Sequence, residues 1–175
     1  MANLDLVRDF VNSVDLEEQR DELSDAPGLV RWLARHRLAG ARARARDADA
    51  AEARAVREAL RELMRANNGI AVDEAAAAAT LDAAGRRAGL GVRFDAEGAV
   101  HFVPRETGVR GALGVVLAAA AEAMADGSWQ LLKACRSDTC RWAFVDHARN
   151  HSRQWCSMSV CGNRQKARMF RQRRA

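Results

Sequence analysis

The sequence predicts an α+β protein: a mainly helical N-terminal domain with a β-hairpin, then a small C-terminal module made of a hairpin and a helix. Three observations predict it. Apolar residues recur at helical spacing through the first 90 positions. The period shortens to two between Val92 and Pro104. Beyond residue 132 the composition changes: residues 1–132 hold 17 basic and 21 acidic groups, residues 133–175 hold 11 and 2, and all four cysteines lie in that second stretch. The hydrophobic fraction of 49% overstates the core, since much of it is alanine, so burial must rest on scattered Leu, Val, Phe and Trp.

Taken in order, Leu4, Leu6, Val7, Phe10, Val11 and Val14 stripe a first helix. Pro27 suits the first turn of a second, having no amide hydrogen to lose there, with Asp25 as N-cap and Leu29, Val30, Trp32 and Leu33 following. Ala55, Leu60, Leu63 and Met64 mark a long helix over 47–66, ending near Asn67-Asn68-Gly69. Asp73 starts an Ala-rich helix that stops by Gly85 or Gly89. Val92 and Phe94 alternate with Val100 and Phe102 around Asp95-Ala96-Glu97-Gly98, a hairpin pattern. Arg110 to Ala125 reads as a helix apolar on nearly every side, hence buried, closed by Asp126-Gly127. The domains expected are 1–127 and 128–175.

Several classes are excluded at this level. The opening residues carry charge inside their apolar stretch, unlike a signal peptide. The longest apolar run, Ala112 to Ala121, is short of the ~20 residues of a membrane span. No dinucleotide fingerprint, phosphate loop or His-Glu-x-x-His pattern occurs, and His36 and His101 are isolated, so no catalytic residue is assigned and no enzyme is expected. A soluble cytoplasmic protein with reduced thiols and no membrane partner is the expectation.

Cys135, Cys140, Cys156 and Cys161 form two pairs, each with four intervening residues, separated by fifteen. Two short loops that each offer two thiolates suit tetrahedral zinc. A module this small cannot bury enough surface to fold unaided, and structural zinc supplies on the order of 10–16 kcal/mol where a disulfide gives ~2–4. One structural zinc per chain is therefore expected on the four cysteines. His147 and His151, at i and i+4, are read as loop residues rather than ligands. For the segment between the pairs to double back, 141–145 and 154–156 are expected as antiparallel strands, with Trp142 and Trp155 as the module's small core. In the last helix Ala167 and Phe170 are expected to pack on those strands. Arg164, Arg168 and Arg171 line one outward face beside Lys166 and Arg173, almost without acids, and such a helix suits a DNA major groove better than a merely solvated face.

Cys140-Arg141-Trp142, Phe144, Asp146, Arg149-Asn150, Arg153, Trp155-Cys156-Ser157-Met158 and Cys161-Gly162-Asn163-Arg164 together resemble the CGNR zinc finger, named for that last tetrad. Asp9-Phe10-Val11-Asn12-Ser13, Asp21, Leu23, Pro27, Leu29 and Trp32-Leu33 resemble the ABATE domain that precedes it. The resemblance implies a stress-induced bacterial transcription regulator whose four cysteines hold zinc and whose finger meets DNA. The contacts expected on double-stranded DNA are Arg149, Asn150, Arg153, Arg164, Lys166, Arg168 and Arg171. Ser13 stands where Thr is usual, and Ala148 where a small hydroxyl residue is usual. Asp146 is read as orienting Arg149 or Arg153, and Asn163 as a local cap rather than a reader of adenine. Asn12, Asp25 and Trp32 are candidates for a small-effector pocket, against simpler roles in hydrogen bonding, capping and packing. A homodimer through the N-terminal domain is a further expectation. The alternatives are an RNA-binding or protein-docking zinc module and a ligand-binding or enzymatic front domain.

Overall fold

The computed structural model describes residues 3–40 and 43–172. Helix α1 (Leu4–Val11) starts where the Asn3 side chain accepts from the Leu6 amide at 3.0 Å. It ends earlier than its apolar stripe. The Ser13 amide and hydroxyl both turn back to the Phe10 carbonyl, so Val14 opens a short strand, β1 (Val14–Asp15), paired antiparallel with β2 (Arg20–Asp21). Helix α2 (Ala26–Arg35) begins as expected, with Pro27 in the first turn and Asp25 accepting from the Gly28 amide at 2.7 Å.

Helix α3 (Asp47–Asn67) is the axis of the protein and packs against α1 and α2. It stops at Gly69, whose φ of +72° is a conformation only glycine adopts freely. Helix α4 (Glu74–Arg87), capped by Asp73, lies along α3, and strands β3 (Gly91–Phe94) and β4 (Val100–Val103) pair as the expected hairpin. Helix α5 (Gly108–Ala125) crosses the core at Gly114, where a Cβ would fall 2.5 Å from that of Pro104. By length and composition α5 is apolar enough to span a membrane, yet 61% of that stretch is buried inside the protein, so its apolarity serves the core.

A 3-10 turn, Ser128–Leu131, leads into β5 (Leu132–Ala134), which pairs with β6 (Ala143–Val145). Leu132, Ala134, Ala143 and Val145 belong to the same apolar cluster as Val7, Phe10, Leu60 and Val116, so the hairpin's inner face completes the helical core. The described residues end in a π-helical turn, Met158–Gly162, and α6 (Asn163–Gln172), none of whose residues is buried.

The α+β class and the hairpin-plus-helix module stand, but the strands differ from expectation. Of the expected strand 141–145 only 143–145 form, pairing with 132–134 across the first cysteine pair, and 154–156 form no strand. Strand β5 wins because its apolar face fills the core, whereas Gln154 contributes one backbone bond, accepting from the Arg136 amide at 3.2 Å. Trp142 and Trp155 consequently do not face each other as a module core. Trp142 lines a cleft with Trp32 on the helical side, and Trp155 packs toward Gly162. Ala167 and Phe170, expected to pack on the strands, are solvent-exposed, Phe170 by 58%.

Candidate metal centre and nucleic-acid interface

The first cysteine pair sits in the turn of the β5–β6 hairpin. The Cys135 amide donates to the Trp142 carbonyl at 2.9 Å, and the Cys140 and Arg141 amides both donate to the Ser137 carbonyl at 3.0 Å. Arg141 closes this turn with φ of +49°, a strained value for a residue with a Cβ. Its main chain is held there by Arg61, a fully buried guanidinium on α3 that donates to the Arg141 carbonyl at 2.7 Å. The second pair brackets the π-helical turn, in which Ser157 accepts from the Val160 amide and the Gly162 amide donates to the Ser157 carbonyl.

These turns bring all four Sγ atoms within 4.8 Å of one another, and no other group of three or more metal-ligating side chains gathers among the described residues. The Cys140–Cys156 and Cys156–Cys161 sulfur separations are 3.6 and 3.7 Å. Four sulfurs about 2.3 Å from one zinc stand about 3.8 Å apart at tetrahedral corners, whereas a disulfide needs about 2.05 Å. The cysteines are free, and the donor set fits one structural zinc ion with no place left for water.

Electrostatics agree. Hydrogen bonds from the Cys140 and Cys156 thiols pull the Cys135 thiol down to about 2, and the same bonds to Cys135 push Cys140 up and Cys156 up to about 12. Burial raises the Cys161 thiol. Four crowded thiols cannot all ionise together unless a cation stands among them. Backbone amides of Ser137 and Cys156 also face the Cys135 sulfur, and that of Trp142 faces Cys140, an arrangement that supports thiolate charge. His147 and His151 stay outside the cluster; the His151 ring lies 3.3 Å from the Asp146 carbonyl oxygen.

Beside the centre, Arg164, Arg168 and Arg171 line a cleft of about 320 Å³ together with Ser137, Thr139 and Trp155. The arginine face therefore looks along the cysteine turn rather than away from it. Lys166 is exposed outside the cleft, and Arg173 lies outside the described residues. Arg149 and Asn150 are exposed on the 147–153 loop, where Asn150 accepts from Ser152 at 2.9 Å. Arg153 is more committed: it stacks 4.8 Å from the Phe144 ring centre and donates to the carbonyls of Trp155 and Cys156. Asn163 bonds the Ser159 carbonyl at 3.1 Å, a local role. A Cβ on Gly162 would come within 2.8 Å of the Met158 sulfur and 3.4 Å of Trp155, so this glycine admits the packing that seats the last ligand. Arg164 makes a two-pronged ion pair with Glu17 of the β1–β2 turn, which raises its pKa further.

Sequence reasoning missed how tightly the cysteine hairpin is sewn to the helices. Asn12, a candidate pocket residue, spends its amide on β6: it accepts from the Ala143 amide at 2.7 Å and donates to the Ala143 carbonyl at 2.9 Å. Asn67 donates to the Trp129 and Leu132 carbonyls, and Asn68 to those of Ala134 and Gln154, all within 2.9 Å. The Asn-Asn pair before glycine looked like a helix stop and is also a clamp. Asp146, expected to orient Arg149 or Arg153, instead forms a buried ion pair with Lys133 at 2.8 Å and meets Arg153 only through that residue's backbone amide. Asp146 also accepts from the Ala148 and Arg153 amides at 3.0 Å. Burial opposes its charge, but Lys133 and these amides outweigh that and hold its pKa low.

Of the remaining pocket candidates, Trp32 floors a cleft of about 360 Å³ shared with Asn12, Arg8, Arg35, His36 and Trp142, while Asp25 stands apart as the α2 cap. Trp32 is pinned edge-on by Phe10 and stacks on His36 at 4.0 Å.

Comparison with known protein families matches two models. The CGNR zinc finger model covers residues 132–174. The ABATE model, described as "Putative stress-induced transcription regulator", covers residues 4–127. A comparison with curated proteins finds no match. With the larger model spanning most of its length and the finger following directly, the chain belongs to the ABATE family and carries a C-terminal CGNR zinc finger.

Proposed function

We propose that the protein is a zinc-dependent DNA-binding regulator of bacterial transcription, acting in the cytoplasm and not as an enzyme. Residues 128–175 form the DNA-contacting finger, with Cys135, Cys140, Cys156 and Cys161 as its zinc ligands. Residues 1–127 assemble the protein as a homodimer or sense a small molecule, for which the cleft that Asn12 and Trp32 share is the candidate site. Bound at four thiolates, zinc supplies cross-linking and no open coordination position, so its part is structural. The observation that carries the reading is the cleft in which Arg164, Arg168 and Arg171 converge with two hydroxyl side chains beside the cysteine turn. Arginine guanidinium groups match phosphate oxygens in two-pronged geometry, and hydroxyls add neutral donors. Arg149 and Asn150 extend the contact surface along the loop, with Arg153 supporting it and Lys166 adding charge at the rim.

Trp155 favours one competing reading, since an aromatic ring among arginines also suits stacked bases of a single strand. Salt-titrated binding to duplex DNA, duplex RNA and single-stranded RNA separates the two. The proposal expects preference for duplex DNA with a steep salt dependence, and Arg168→Ala lowering affinity across sequences and reducing the salt slope by about 1. Equal or tighter binding to single-stranded RNA contradicts it.

A further inference from the structure

We infer that the acidic β1–β2 turn, residues 15–18, is a built-in phosphate mimic: Glu17 occupies Arg164 at the mouth of the arginine cleft and must be displaced when nucleic acid binds. This rests on the nucleic-acid reading above and adds a mechanism of self-restraint to it.

The turn is made to present a carboxylate. Asp15 Oδ1 accepts from the amides of both Glu17 and Glu18 at 3.0 Å, and Gln19 closes the loop with φ of +52°. Its base is anchored in the core, because Asp21 pairs with Val14 across β1–β2 and is gripped by the buried Arg57 at 2.6 and 2.9 Å. A rigid stem thus carries Glu17 to a helix 147 residues away in sequence. There both carboxylate oxygens meet both terminal nitrogens of Arg164, the geometry a phosphate would use.

The position matters as much as the contact. Thr139 and Arg164 line both the arginine cleft and a second depression of about 580 Å³ that also touches Leu16, Glu17 and Asp138. Glu17 therefore lies in the depression next to the arginine cleft and reaches that cleft through Arg164, a residue of both. The pair is open to solvent, with Arg164 56% and Glu17 32% exposed, so it is weak enough for a phosphate to replace. Glu18, next in the same turn, is exposed and has no ion pair among the described residues. It supplies the same charge without the contact.

The experiment uses the full zinc-loaded chain and a fluorescent duplex of mixed sequence, titrated between about 50 and 200 mM salt. Glu17→Gln is expected to tighten binding roughly 2- to 5-fold. Glu18→Gln is expected to change it less, and Glu17→Gln in an Arg164→Ala background to give no gain. Equal gains from the Glu17 and Glu18 variants, or a gain that survives without Arg164, overturn the mimic and leave only general charge repulsion. Wild-type binding that Glu17→Gln does not alter removes the mimic alone. Absence of duplex binding by both proteins removes the DNA reading and the mimic together.

Discussion

The hairpin that bears Cys135 and Cys140 and the helix that follows Cys161 sit side by side yet are held by different means. The hairpin's inward residues are part of the main apolar core, its backbone is bonded by Asn12, Arg61 and Asn68, and Lys133–Asp146 locks its outer side. Helix α6 buries none of its residues, and Met158, Val160 and Met169 are about half exposed. The sulfur cluster and the Glu17–Arg164 pair are among the contacts that tie α6 to the rest. The metal therefore has half a task here: one side of its site is folded by the helices, and the other depends on the ion.

Chelating zinc removes on the order of 10 kcal/mol of coupling. Hydrogen exchange of the apo chain is expected to show amides over 157–172 exposed and those of β5 and β6 still protected. Collapse of both halves together would show that the hairpin is not held by the helical core.

Asp146→Ala strands a buried ammonium and is expected to destabilise the folded chain by about 3–5 kcal/mol in urea unfolding. A loss below about 1 kcal/mol would mean that the pair is solvated in solution. Asn68→Ala removes two bonds between α3 and the finger, for an expected loss of about 2 kcal/mol, while Asn150→Ala on the exposed loop is expected to stay within about 0.5. Comparable losses at the two asparagines would show that the Asn68 clamp holds the hairpin no better than a solvated loop contact.

The pH prediction follows from Asp21. Burial works against its charge, but hydrogen bonds from Arg57 and the Leu23 amide outweigh that and hold its pKa low. A carboxylate lowered on folding contributes stability above its unfolded value of about 3.9 and loses it as pH falls through the depressed folded value. The unfolding midpoint is expected to decline below about pH 4, and less steeply in Asp21→Asn. Parallel declines would remove Asp21 from the account.

Helix positions were legible because caps and periodicity are local: Asp25, Asp73 and Gly127 mark ends that a single window reveals. The cysteine centre was legible because few arrangements besides a metal site use two such pairs. The strand partners of 143–145 were not, since choosing between 132–134 and 154–156 depends on which face the helices leave open. The roles of Asn12, Asn68 and Lys133 were hidden for the same reason, as their partners lie 131, 66 and 13 residues away. The neighbours of the arginine face were not legible either. Spacing fixes that Arg164, Arg168 and Arg171 share a side of α6, but only the fold shows that this side borders the cysteine turn.

The central claim is that four sulfurs from two differently supported segments close around one metal ion. X-ray absorption at the zinc edge of the purified chain tests it most directly. The expected spectrum shows one zinc per chain with four sulfur neighbours at about 2.3 Å. A shell containing nitrogen or oxygen, or a protein that holds no zinc with its cysteines oxidised in pairs, would contradict it.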